Sequence, residues 1–359
     1  MSNWQIMHDN RIIAEIADNG IAKVHNSAFM PFDLWLEEAT DVDTLVNNLT
    51  NFYYWCASRV LTLDREYAKE ILSSIGAQQG TTDKERAKVA LSYHCLSLKD
   101  IYWVKPDDEE VSFDDINIYD NHLDNAFVDL SLRGKAMTVD NAHLIADDIS
   151  TSGVCPKAWV RKADGFWLYK DGDIQNVENE ILASKICRCF KCNQVLYEKE
   201  NFDGDIVSVS KIMTSKKYSI ATRAAFDIYA VNHEMDPIDE IIRLDGYGYY
   251  MMNILDYLVG NTDRHWENWG LLIDNETGKA LRLHDLMDFN QAFKAYDNVD
   301  GALCQTTLPR RITQRQAAIE AVNEIGMNRI SEVDPVWFEG RNNDYMMFME
   351  RMNILQSYA

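Results

Sequence analysis

The stretch Gly260-Asn261-Thr262-Asp263-Arg264-His265-Trp266-Glu267-Asn268-Trp269-Gly270 crowds acids, an arginine, an imidazole and two carboxamides into eleven residues. It follows the apolar run 250–259. A solvated loop accounts for the polar side chains but has no use for Trp266 and Trp269. The two indoles are expected to pin the loop against a core behind it.

The surroundings of the loop set the fold class. Residues 269–273 and 280–283 are short β-type runs flanking Asp274-Asn275-Glu276-Thr277-Gly278, which reads as a hairpin. Upstream, 158–162 and 166–170 are aromatic-rich runs joined by Ala163-Asp164-Gly165, a second hairpin signal. A helix is expected over 177–186 and a strand over 205–213. From 220 to 258 the pattern is helical with breaks near Pro237 and Gly246, and helices follow Thr313. Strands at the front and helices behind make this part α+β. The first 140 residues read as mostly helical. Helical spacing runs over 40–49 and 63–72, and Thr82 or Asp83 is placed to cap a helix over 84–93.

A chain of 359 residues with 47% hydrophobic content has enough apolar material for a sizeable core and more than one domain. Its formal charge of −22 opposes direct binding of nucleic acid or an anionic membrane. No apolar run approaches the ~18 residues of a membrane span, and 1–20 has no signal-peptide character. A cytoplasmic location is the expectation. Seven cysteines, mostly inside apolar segments, read as reduced thiols. Cys187-x-Cys189-x-x-Cys192 reads as a continuation of the preceding helix rather than a zinc site.

The chemistry comes from spacing. Phosphoryl transfer needs a carboxylate to orient the attacking hydroxyl and oxygen ligands for Mg2+ on the nucleotide phosphates. In protein kinases the catalytic Asp precedes a metal-binding Asn by five positions, as Asp263 precedes Asn268. A second metal ligand comes from an Asp-Phe pair after a short hairpin, and Asp288-Phe289 follows the hairpin here. Lys170 ends a predicted strand, where it can pair with the α/β-phosphates. Glu178 or Glu180 on the next helix can hold it. A turn near Gly153 can cover phosphates with backbone N–H groups.

These motifs resemble the HipA-like serine/threonine kinases, which are similar in turn to the phosphatidylinositol kinases. The resemblance rests on Asn261-x-Asp263-x-His265-x-x-Asn268, the Lys170 strand and Met287-Asp288-Phe289-Asn290, and covers about 145–295. It implies a bilobal kinase-like fold over 141–359, with lobes of about 145–215 and 216–359 and ATP with Mg2+ in the cleft between them. Asp263 would be the catalytic base, and His265 would support its loop or contact the active site. Asn268 and Asp288 would ligate Mg2+. Lys170 would bind phosphates, paired with Glu180 and with Glu178 as the fallback. Lys211-Ile212-Met213 would contact adenine through backbone groups. Thr151-Ser152-Gly153-x-x-Pro156-Lys157 would be the phosphate loop, and Ser150, Thr151 and Ser152 would be autophosphorylation sites. Asn290 departs from the family, which has a small residue there. Residues 1–140 lie outside the resemblance, and holding a protein substrate or a regulatory protein partner are their two readings.

Three other readings compete. A catalytically inactive kinase-fold interaction module would usually lack one of Lys170, Asp263, Asn268 and Asp288, and all four are present. A lipid kinase would have to bring a strongly acidic surface to an anionic membrane. His284-Asp285 suggests an HD-type metal phosphohydrolase, but that pair sits in a helix in the HD class and ends a predicted strand here. Arg310-Arg311 reads as a solvated pair.

Overall fold

The computed structural model describes residues 3–60, 82–121, 157–170, 172–202 and 204–359. The chain forms two compact units. One comprises Met1–Tyr169, Thr214–Ile220 and Ile273–Lys279; the other comprises Lys170–Met213, Ala221–Leu272 and Ala280–Ala359.

The first unit opens with β1 (Asn3–His8) and β2 (Arg11–Ala17), followed by β3 (Ala22–Val24). With β4 (Tyr102–Pro106) they form an antiparallel sheet in the order β3-β2-β1-β4. Ile6 sits opposite both Ala14 and Val104, and all three are fully buried. The reading of 1–140 as mostly helical leaves out this sheet. Its strands do not alternate cleanly, because Ile12, Ile13 and Ala14 run together and a bulge falls after Ile6. Its first turn is Asp9-Asn10 between the paired His8 and Arg11, with Asp9 at φ 53° in place of a glycine.

The expected helices over 40–49 and 84–93 are present as α1 (Val42–Ala57) and α2 (Asp83–Leu91). Asp41 caps α1 by accepting from Thr44 N. Thr82 starts α2 with a reciprocal bond to Glu85, a capping box. The helix expected over 63–72 lies outside the described residues. A short α3 (Phe113–Ile116) follows. The first expected hairpin is β5 (Lys157–Lys162) and β6 (Gly165–Lys170), with Gly165 at φ 120° in the turn.

The second unit is built on α4 (Ile174–Cys187), β7 (Tyr197–Phe202) and β8 (Asp205–Lys211), the last two an antiparallel hairpin. After β9 (Tyr218–Thr222), most of which belongs to the first unit, come α5 (Arg223–Asn232) and the long α6 (Pro237–Val259). The expected breaks fall as predicted: Pro237 is the first helical residue of α6, and Asp245 leaves helical geometry beside Gly246. The second hairpin is β10 (Gly270–Asp274) and β11 (Lys279–Leu283), in a sheet of order β11-β10-β9. Finally α7 (Gln314–Ile325) and α8 (Asn342–Gln356) pack on α6. β7 and β9 were not anticipated; both are short, and most of β7 is exposed. Helix α4 stops at Cys187, so the Cys187–Cys192 run leaves the helix rather than continuing it. Among the described residues, no helix is long and apolar enough to cross a membrane.

Candidate functional site

The quoted stretch begins where α6 ends. Residues 251–259 of α6 are buried without interruption, so this part of the helix runs through the core of its unit. Gly260 ends it in the left-handed region at φ 62° and ψ 41°. A Cβ there would run into the Tyr296 ring, so conformation and space both require glycine. Gly270 closes the stretch under a similar constraint, since a Cβ would collide with the Ala221 carbonyl oxygen. The loop is thus anchored at both ends by close backbone approach.

Between these ends the loop is held by a buried charge pair. Asp256, inside α6, accepts from Arg264 Nε and Nη2 at 2.9 Å each, a bidentate geometry. Asn261 Nδ2 adds a third bond to Asp256 at 3.1 Å. Arg264 Nη1 donates to Asn268 O at 3.0 Å and to Met287 O at 2.5 Å. Arg264 therefore ties the start of the loop, its end and the residue before Asp288 to one point. Burial would push its guanidinium down, but the Asp256 charge holds it above its usual value.

This arrangement presents Asp263 and Asn268. Asn268 Nδ2 donates to Asp263 O at 2.9 Å, which commits the nitrogen end of the carboxamide to the loop and leaves Oδ1 as the atom that could meet a cation. Asp263 is half-buried. Burial pushes its carboxyl above the ordinary range; the His265 charge pulls it back, and the Asp288 charge raises it further. A like charge near a half-buried carboxylate is a local demand for a cation.

Lys170, the last residue of β6, supplies one. Its Nζ lies 2.7 Å from Glu180 Oε1 and 3.0 Å from Asp288 Oδ1. Glu180 is 1% exposed and its other oxygen accepts from Ser208 Oγ at 2.6 Å. Burial would depress the ammonium, but the charges of Asp288 and Glu180 outweigh it and hold Lys170 well above its ordinary value. Tyr197 lies under this group. Its ring centre is 5.0 Å from Lys170 Nζ, and its hydroxyl accepts from Asp288 N at 3.0 Å. Asp288 itself stands at φ 60°, a conformation uncommon outside glycine. The Arg264 bond to Met287 O and the Tyr197 bond to Asp288 N hold that turn from both sides.

The expected site residues divide accordingly. Lys170, Glu180 and Asp288 are in direct contact. Asp263 and Asn268 are joined through the loop. Glu178, the fallback for Glu180, pairs instead with Lys199. His265 is exposed, and its Nδ1 accepts from Glu267 N, so it braces only its own turn. Met213 packs with Met287 against Val177, Ile181, Val195 and Tyr197, while Lys211 is the exposed end of β8. Lys157 begins β5. Gly153 and the hydroxyls of Ser150, Thr151 and Ser152 lie outside the described residues. Trp269 is buried beneath the loop as expected, but Trp266 is 45% exposed rather than buried against a core. The difference is geometric: Trp269 leads into β10, whereas Trp266 lies at the turn between Asp263 and Asn268. Of the rivals, His284 is buried with Nδ1 on its neighbour's carbonyl, Asp285 O, and Arg310 is occupied by Glu320. The sequence reading missed the roles of Asp256, Tyr197 and Ser208. A lone carboxylate in the apolar second half of α6 was the signal for the first.

The donors suit a hard divalent cation. A carboxylate and a carboxamide oxygen match Mg2+, which takes few protein ligands and completes its shell with water and phosphate. Among the described residues no group of three or more His, Cys, Asp or Glu side chains could hold a metal. Asn268 and Asp288 would therefore hold the ion jointly with a bound phosphate.

No protein-family model matches the sequence, and a search of curated proteins finds no match. Solved structures do match. One is described as the Shewanella oneidensis MR-1 toxin–antitoxin system of HipA, HipB and its operator DNA. It aligns at TM-score 0.53 and 9% identity over 99% of this chain and 94% of that one. Another is the proinflammatory kinase CtkA of Helicobacter pylori, at TM-score 0.47 and 13% identity, covering 58% of this chain and 91% of that one. The chain has a HipA-like kinase fold of the α+β class.

Proposed function

We propose that this protein transfers the γ-phosphate of ATP, with Mg2+, to a serine or threonine hydroxyl of a protein. The observation that carries the reading is Lys170 held between Glu180 and Asp288, 2.7 and 3.0 Å away. A buried ammonium shared by a helix carboxylate and a loop carboxylate is what a phosphate-binding lysine needs to stay charged and aimed. Lys170 binds the α/β-phosphates and Glu180 fixes its direction. Asn268 and Asp288 would hold a Mg2+ ion, which would supply positive charge against the phosphates. Asp263 orients the attacking hydroxyl and takes its proton as the new O–P bond forms and the β–γ bridge breaks, releasing ADP. The backbone of 211–213 contacts adenine. Residues 1–140 form a region that holds a substrate or a regulatory protein, and the protein works in the cytoplasm.

The raised Asp263 carboxyl adds a pH signature. Only the ionised form accepts a proton, so the acid limb of the rate profile falls above the ordinary value of 3.8. The direct test is mass spectrometry of the purified protein after incubation with Mg-ATP, with and without chelator. A mass gain of one phosphate, abolished by chelator and by Lys170→Met, is expected, and Ser150, Thr151 and Ser152 are the first positions to inspect. Transfer to lipid vesicles but to no protein would replace this reading with lipid phosphorylation. Absence of ATP binding by calorimetry would replace it with a non-catalytic interaction module.

A further inference from the structure

Helix α4 carries Glu180, and its neighbour Asn179 is equally buried at 1% exposure. Asn179 does not face the lysine. Its Oδ1 accepts from Arg341 Nη2 at 2.6 Å, a contact spanning 162 residues, and from Gln175 Nε2 at 2.9 Å. Arg341 is the residue before α8, and its Nε donates to Asp344 at 2.7 Å. Its guanidinium also lies 4.9 Å from the centre of the Phe293 ring, five residues beyond Asp288. Phe293 is fixed in turn by its own N–H to Val259 O at 3.0 Å and by an edge contact with Phe338.

One contact cannot fix the rotation of a helix about its axis, but two on different faces can. Successive residues of an α-helix point about 100° apart. Glu180 engages Lys170 and Ser208 on one face, and Asn179 engages Arg341 on another. We propose that Arg341 is a positioning residue for phosphoryl transfer. It holds α4 in the rotation that brings Glu180 to Lys170, and links that rotation to the segment after Asp288 through Phe293. The inference rests on the kinase reading for its effect on rate, and on geometry alone for its effect on α4. A shift of about 1 Å at a phosphate-binding lysine suffices to cost up to about a hundredfold in rate.

The test is a double-mutant cycle of Arg341→Ala with Glu180→Gln, read as kcat and ATP KM, with hydrogen exchange of 174–187 followed in parallel. Arg341→Ala is expected to lower kcat about tenfold or more in the parent background, and less than about twofold when Glu180 is already Gln. A residue that merely stabilises the fold would lower both by the same factor, and that result overturns the proposal. Asn179→Ala, which cuts the same tether from the helix side and spares Asp344 and Phe293, is expected to reproduce the kcat loss. If it does not, Arg341 acts by another route and the proposal fails. Should the parent transfer no phosphate, the kinase reading fails separately, and the exchange data decide: faster exchange across 174–187 in both variants supports the tether, and unchanged exchange overturns it.

Discussion

Two of the buried cations of the second unit, Arg264 and Lys170, are built differently. Arg264 meets a single carboxylate, Asp256, in a closed bidentate pair, and spends its remaining reach on backbone carbonyls. Lys170 is shared by two carboxylates from two elements, one of them 19% exposed. The first arrangement is complete and can only hold. The second leaves Asp288 partly exposed; on the proposed function Asp288 would turn to a metal while Glu180 keeps the lysine charged.

Breaking the closed pair is expected to cost most. Asp256→Asn removes the only carboxylate, among the described residues, bonded to a guanidinium whose side chain is 3% exposed. Stability should fall by about 3–5 kcal/mol, measured as a shift in the urea midpoint at constant slope. Glu180→Gln, on the shared cation, should cost less, about 2 kcal/mol, because Lys170 keeps Asp288 and the amide can keep the Ser208 bond. Its kcat should nevertheless fall tenfold or more. Equal stability losses for the two variants would erase the distinction.

Acid sharpens the same comparison. His284 lies near Arg264, and burial lowers its pKa to about 4. A histidine depressed in the fold contributes stability that is present above 6.5, its ordinary value, and is lost as pH falls toward 4. His284→Asn, which can keep the bond to Asp285 O, should remove about 1–2 kcal/mol of the acid-induced loss between pH 6.5 and 5. An unchanged acid limb in urea titrations at several pH values would contradict a neutral buried His284. The smallest effect is expected at Tyr197→Phe. Losing the acceptor for Asp288 N should cost about 1 kcal/mol and raise the Mg2+ concentration needed for half-maximal rate by a few-fold.

The sequence was most legible where chemistry fixes spacing. Asp263, Asn268 and Asp288 were singled out because phosphoryl transfer asks for such spacings, and both hairpins were found because their turns use Asp-Gly or a Gly-ended loop. Glu178 and Glu180 could not be separated by pattern. They are two positions apart on one helix, and only tertiary packing decides which is buried with Lys170 and which pairs with Lys199. The partner of Arg264 could not be named from pattern, because Asp256 sits eight residues upstream in the buried last turns of α6. The N-terminal sheet was hidden by Ile12, Ile13 and Ala14 running together and by a turn without glycine. Local pattern reports faces of elements; the long-range partners of buried charges lie beyond it.

The central claim is that Asp263 takes the proton of the attacking hydroxyl while Lys170, Asn268 and Asp288 hold the nucleotide. Quenched single-turnover transfer from γ-labelled ATP, run beside nucleotide binding on the parent and on Asp263→Asn, tests it most directly. The account predicts that the substitution leaves the ATP dissociation constant within about threefold and lowers the transfer rate by about a hundredfold or more. Transfer at the parental rate by Asp263→Asn would contradict it.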